Sequence, residues 1–137
     1  MSVEDCLHEG KMRRSSPDIQ LAKSMLSMSN LRLEFLNKQV IDDKNASILM
    51  SEYYEALREV FEAIMSIKGF KSYSHECITH FIKEILREDV ISERFDRYRK
   101  IRNKINYYGK QVSKEETEIV SKEIKKILSV LHTKYRF

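Results

Sequence analysis

Apolar residues recur along this chain at every third or fourth position, and the recurrence breaks in only a few places. Leu21, Met25, Met28, Leu31, Phe35 and Leu36 mark one amphipathic helix over about residues 17–40. Ser16 followed by Pro17 reads as its start, a capping hydroxyl and then a proline at a position where its missing N–H is harmless. Asp42 and Asp43 interrupt the pattern. A second helix is predicted over 45–67, with Leu49, Tyr53, Leu57, Val60, Phe61 and Ile64 as its stripe and Gly69 placed for a left-handed C-cap. The third starts near Ser74, a capping serine, and carries Ile78, Phe81, Ile82 and Ile85. The fourth covers about 92–108 and stops at Gly109. Ser113 and Glu116 have the spacing of a capping box, opening a fifth helix to about residue 134 with Ile119, Val120, Ile124, Ile127, Leu128 and Leu131 inside. Short connections between long amphipathic helices predict an all-α fold, an up-down bundle of four to five antiparallel helices. Residues 1–16 read as a polar N-terminal arm with at most one helical turn, and 17–137 as the helical domain.

Composition agrees with this outline. The 137 residues suit one domain, and 42% hydrophobic against 34% charged suits a packed core. Three glycines and one proline are few for a sheet protein. Net charge is +4, from 25 basic and 21 acidic residues, so whole-chain charge alone does not indicate a nucleic-acid partner. No apolar run approaches the roughly 18 residues of a membrane span, and 1–10 lacks the apolar stretch of a signal peptide. Two cysteines, Cys6 and Cys77, are too few for a disulfide framework, which makes a cytoplasmic location the expectation.

Charge becomes informative locally. Six basic residues fall between Arg94 and Lys104. At about 100° per residue, Phe95, Tyr98, Ile101, Ile105 and Tyr108 form one apolar arc. Arg97, Lys100 and Lys104 lie opposite, as on a solvated face. Arg102 falls inside the apolar arc, between Phe95 and Tyr98, and Asn106 borders it. A guanidinium keeps its charge, so burial there requires an acceptor or an interface. The structural alternatives are snorkelling to the rim or pairing with Glu52 or Glu55 of the second helix.

The run Arg102-Asn103-Lys104-Ile105-Asn106-Tyr107-Tyr108, late in a helix of a five-helix chain, resembles the motif of the HEPN (higher eukaryotes and prokaryotes nucleotide-binding) family: an arginine, four to six residues, then a histidine. Tyr53-Tyr54-Glu55-Ala56-Leu57 and Gly69-Phe70-Lys71-Ser72-Tyr73-Ser74-His75-Glu76 are similar to two further stretches of that family, and the resemblance spans most of 17–133. It implies a helical bundle, a homodimer pairing the motif helices, a minimal nucleotidyltransferase as partner in a toxin–antitoxin arrangement, and metal-independent endoribonuclease activity without a cofactor. It also implies roles: Arg102 steadying a crowded phosphorane, and the residue at the histidine position moving protons. Here that position carries Tyr107, and no histidine occurs between His80 and His132. Tyrosine is a weak base near neutral pH but donates hydrogen bonds. The candidate catalytic residues are therefore Arg102 and Tyr107. Arg99, Arg102, Asn103 and Asn106 form the candidate phosphate- or nucleotide-binding set, with His75, Tyr108 and Glu55 as auxiliaries.

The competing readings are a catalytically degenerate interaction module, whose motif helix serves dimerisation or partner docking, and a small DNA-binding regulator, for which no compact helix-turn-helix pair is present. His75, Glu76, Cys77 and His80 share one helical stretch, but a zinc site needs three or four ligands and no second cluster supplies the rest, so no metal is assigned. Cys77 reads as a small packed residue, and the methionines at 25, 28, 50 and 65 as core fillers. There is no Gly-rich phosphate loop, Ser-His-Asp order or His-Glu-x-x-His motif. The mixed charges of the fifth helix indicate a solvated face.

Overall fold

The computed structural model describes residues 1–135, and the last two residues of the predicted helical domain lie outside the described residues. The fold is an all-α helical bundle with a small two-stranded ribbon. Its elements are α1 (Val3–His8), β1 (Met12–Arg14), α2 (Ile19–Asn37), α3 (Ala46–Ile67), β2 (Phe70–Ser72), α4 (His75–Glu84), α5 (Asp89–Tyr108) and α6 (Lys114–Lys134). Among the described residues, no helix is long and apolar enough to cross a membrane.

The central element is α3, which packs against α2, α4, α5, α6 and β2. Its sequence suits that place: Leu49, Tyr53, Leu57, Val60, Phe61 and Ile64 are all buried, as their spacing predicts, and so are Met50, Tyr54, Ala56, Ala63 and Met65 on adjoining faces. A helix apolar over most of its circumference belongs inside a bundle. Gly69 follows its C-terminus at φ +82°, and a Cβ there would lie 2.8 Å from the Ser15 carbonyl oxygen, so both conformation and space require glycine.

Residues 1–16 are not a free arm. Ser2 and Asp5 make a reciprocal capping box that starts α1, which buries Val3 and Cys6. Met12, also buried, opens β1. That strand pairs antiparallel with β2, Met12 opposite Ser72, Arg13 opposite Lys71 and Arg14 opposite Phe70. Three-residue strands are too short to show a period-two pattern, which is why the sequence reads as a polar arm there. The cysteine expectation is also corrected. Cys6 and Cys77 form a disulfide with Cα atoms 6.0 Å apart, tying α1 to α4, so the step from free thiols to a reducing compartment loses its premise. Neither cysteine was suspect by local spacing, because 71 residues separate them.

The start of α2 is likewise corrected. Its N-cap is Asp18, whose carboxylate accepts from the Leu21 N–H, rather than Ser16. The Ser15 N–H is already engaged by the Gly69 carbonyl, which holds 15–17 outside the helix. The larger correction concerns its face. Ala22, Ser29 and Leu36, seven residues apart, are buried, whereas Leu21, Met28, Leu31 and Phe35 are 41–57% exposed. Small residues let the helix approach α3 closely, and the Ser29 hydroxyl donates to the Ala56 carbonyl at 2.7 Å. Arg32 adds ion pairs to Glu52 and Glu59. Ile85, Tyr108 and Ile119, expected inside, are exposed as well, while the rest of the α6 stripe is buried.

Candidate functional site

The arginine on the apolar arc of α5 is held where α5, α3 and the start of α4 meet. Phe95 and Tyr98, two turns and one turn before it, are fully buried, which fixes the rotation of α5 and turns Arg102 towards α3. Its side chain is 20% exposed, and its guanidinium lies 5.8 Å from the ring centre of Tyr54 and 3.8 Å from a Glu55 oxygen. Glu55 is one of the two partners the sequence offered. The approach is an ion pair without a hydrogen bond: both the Glu55 Oε1 and the Arg102 Nε are buried with no hydrogen-bond partner.

Glu55 is also shared with Arg58. One turn along α3, Arg58 bonds Glu55 at 2.6 Å and also pairs with Glu62. Burial by itself pushes the Glu55 carboxyl up, but the hydrogen bond and charge of Arg58, with Arg102 beyond, bring it below the usual carboxylate range. Glu62, more deeply buried, moves up despite Arg58. Arg58 holds Glu55 through Oε2 alone, Oε1 faces Arg102 without a hydrogen bond, and Arg102 keeps donor capacity for something else.

That capacity opens onto a cleft of about 410 Å³ lined by Tyr73, Ser74, His75, Glu76, Arg99, Arg102, Asn103 and Tyr107. Two parts of the chain build it. The α5 side supplies Arg99, Arg102, Asn103 and Tyr107, four of the residues the sequence singles out. The α4 side supplies His75 in the first turn, behind the N-cap Ser74, whose hydroxyl accepts from the Cys77 N–H. The first backbone N–H groups of a helix have no intrahelical acceptor, so this end of α4 adds partial positive charge. Arg99 is half-engaged, bonding Asp96 at 2.7 and 3.0 Å. Asn103 accepts from Arg102 Nη1 at 3.5 Å, which turns its amide N–H₂ away from the guanidinium. Tyr107 is 72% exposed at the rim.

His75 is the residue whose chemistry the fold changes most. Its Nδ1 is 2.9 Å from the Tyr54 hydroxyl, and the two rings stack at 5.7 Å. Tyr54 is fully buried, and burial raises its phenol far above the ordinary range, so it keeps its proton. Among the described residues His75 is its one hydrogen-bond partner, so the hydroxyl donates to Nδ1 and the imidazole proton sits on Nε2. Burial, and then the positive charges of Arg58, Arg102 and Arg99, lower the His75 pKa to about 4. At neutral pH it is therefore an uncharged ring offering an N–H donor.

The remaining sequence candidates separate from this cleft. Asn106 and Tyr108 are exposed and line no part of it: Asn106 lies one turn beyond Arg102 on the same side of α5, and Tyr108 projects from another side. Tyr54 and Arg58 were missed as site residues. The signal for Arg58 was present in Glu55, Arg58 and Glu62, spaced as ion pairs on one helix, but such pairs are usually solvated. Cys77 is in a disulfide and offers no thiolate, and among the described residues no group of three His, Cys, Asp or Glu side chains is placed to hold a metal. The arrangement is an array of donors, two guanidiniums, an amide, an imidazole N–H, two phenols and a helix start, with Glu76 the one acid among its lining residues. No family model, curated protein or solved structure matches the chain.

Proposed function

We propose that this cleft binds phosphate groups of RNA or of a nucleotide, and that the chain acts as a HEPN-type RNA- or nucleotide-binding protein. The observation that carries the reading is Arg102, a partly buried guanidinium that no acid holds by a hydrogen bond among the described residues, facing a cleft of hydrogen-bond donors. A forked donor set with little competing negative charge suits phosphate oxygens. The order of motifs along the chain supports the family, and with it a homodimer through the motif helix and a nucleotidyltransferase partner. The exposed Tyr107 and Tyr108 at the end of α5 give that helix apolar surface to cover in a dimer.

Within this reading, binding is better supported than cleavage. An endoribonuclease of the kind the resemblance implies needs a base for the 2′-hydroxyl near neutral pH. His75 carries its proton on the edge away from Tyr54 and has a pKa of about 4, and Tyr107 is a phenol, so neither is suited to that task.

A fluorescence-anisotropy titration with a labelled 20-nucleotide single-stranded RNA, run alongside an RNA cleavage gel and thermal melting, tests the proposal. Arg102→Ala is expected to weaken RNA binding at least tenfold and to cost less than about 1 kcal/mol of stability, since Arg58 still neutralises Glu55. Wild-type cleavage at pH 7 that disappears in Arg102→Ala would extend the function to a ribonuclease. Equal RNA binding by both proteins would overturn the site. The second reading, a structural Arg102 in an interaction module, is favoured by the Glu55 pair and predicts the opposite pattern: a large drop in melting temperature with no binding to lose.

A further inference from the structure

The ribbon, the start of α2 and the end of α3 line a second cavity of about 300 Å³. Its floor is apolar, made by Leu21, Met25, Met65 and Phe70, and its lip carries Arg13 and Lys71. These two cations are direct cross-strand partners in the ribbon. Like charges directly opposite each other destabilise an antiparallel pair. Among the described residues neither has a carboxylate within ion-pairing distance. Lys71 rests instead over the ring of Tyr73, 5.6 Å from its centre. The acids on the wall are engaged elsewhere. Glu62 is paired with Arg58, and Asp18 caps α2 by accepting from the Leu21 N–H.

We infer that this cavity is a binding site for a small anionic amphiphile, its apolar body on the methionine and phenylalanine floor and its anionic head between Arg13 and Lys71. An apolar pocket of this size with a few convergent polar groups is what a small-molecule site consists of. An anion between the two cations removes their mutual repulsion, and the arginine fork receives a carboxylate or a phosphate through two bonds. The site shares no lining residue with the proposed phosphate-binding cleft, and touches it only where Lys71 rests over Tyr73 of that cleft's wall.

The test uses protein labelled with ¹³C at the methionine methyl groups. Met25 and Met65 line the cavity and Met12, Met28 and Met50 do not, so the spectrum reports the location of binding. Sodium octanoate, octyl phosphate and octylammonium chloride are titrated separately. Saturable shifts of Met25 and Met65 are expected with the two anions, at least tenfold tighter than with octylammonium, and the tighter anion identifies the head group. Arg13→Ala/Lys71→Ala, which removes two exposed side chains, is expected to lower anion affinity at least tenfold and leave octylammonium unchanged. Unmoved Met25 and Met65 signals at millimolar ligand, shifts spread equally over all methionines, or octylammonium binding as tightly as the anions would each overturn the inference. The octylammonium comparison needs only the wild-type protein, so it holds even if the double variant does not fold.

Discussion

His75 shows how a single side chain takes its chemistry from neighbours that the local sequence does not name. The Tyr54 hydroxyl donates to its Nδ1, and three arginines oppose its charging. Because its pKa is about 4 in the fold against about 6.5 for a free imidazole, the unfolded chain binds the proton over that interval and the folded chain does not. The contribution of His75 is present above about pH 6.5 and is lost as pH falls through that window towards 4. Thermal melting of wild type and His75→Gln between pH 7.5 and 4 should therefore show a wild-type advantage that shrinks on acidification. An advantage that grew towards pH 4 would mean the imidazole is charged in the fold, and that the donor array includes a cation instead of a neutral ring.

Among the elements, α2 and the α1–α4 connection carry most of the difference between a periodic sequence and a packed protein. On α2 the small residues face the core and several large ones face solvent. Ser29→Leu, which forces three more carbons into the α2–α3 contact and removes a buried hydrogen bond, is expected to cost at least about 2 kcal/mol. Leu31→Ser, on the exposed side at 57% exposure, is expected to change stability by less than about 0.5 kcal/mol. Urea unfolding of the two variants checks the pair, and the reverse order of effects would restore the periodic stripe as the buried face. The disulfide acts on a different term. Cross-linking two residues 71 apart removes loop-closure entropy from the unfolded chain worth roughly 4 kcal/mol. Melting with and without dithiothreitol, or in Cys6→Ser/Cys77→Ser, should show a fall on the order of 15 °C. A fall of only a degree or two would show that α1 and the ribbon are held by packing and by bonds such as Val3 N–H to Glu84 at 3.0 Å.

For the molecule as a whole, charge is mild and distributed, and much of the basic face of α5 is spent internally. Arg97 pairs with Glu123, Lys100 with Asp96, and Arg99 with Asp96. Of the six basic residues from Arg94 to Lys104, Arg94 and Lys104 alone have no ion pair among the described residues, too few to follow a phosphate backbone along this helix. If the cleft holds one or two phosphates through Arg102 and Arg99, log affinity for single-stranded RNA should fall with log salt with a slope of magnitude about 1–2 per protomer. Anisotropy titrations from 50 to 300 mM salt measure it. A magnitude of five or more would place the main contact on a broad basic surface and take the recognition out of the cleft.

The helices were legible because their cause is local. The buried stripe of α3, the capping serines at 74 and 113 and the glycines at 69 and 109 state helix positions within a few residues of themselves, and the structure has them there. The inward turn of Arg102 was legible for the same reason, as a position on a wheel fixed by Phe95 and Tyr98. Tertiary structure decided everything that depended on which elements meet. It turned α2 so that Ala22, Ser29 and Leu36 face the core and Leu21, Met28, Leu31 and Phe35 do not, because small residues at 22 and 29 let the two backbones approach closely. It joined Cys6 to Cys77 and turned residues 1–16 from an arm into part of the core. It also placed His75, an auxiliary candidate whose neighbour the sequence could not name, in one cleft with Arg102. Hydrophobic periodicity is a property of one helix, whereas a site is a property of the surfaces two helices leave between them, and that depends on contacts no local pattern encodes.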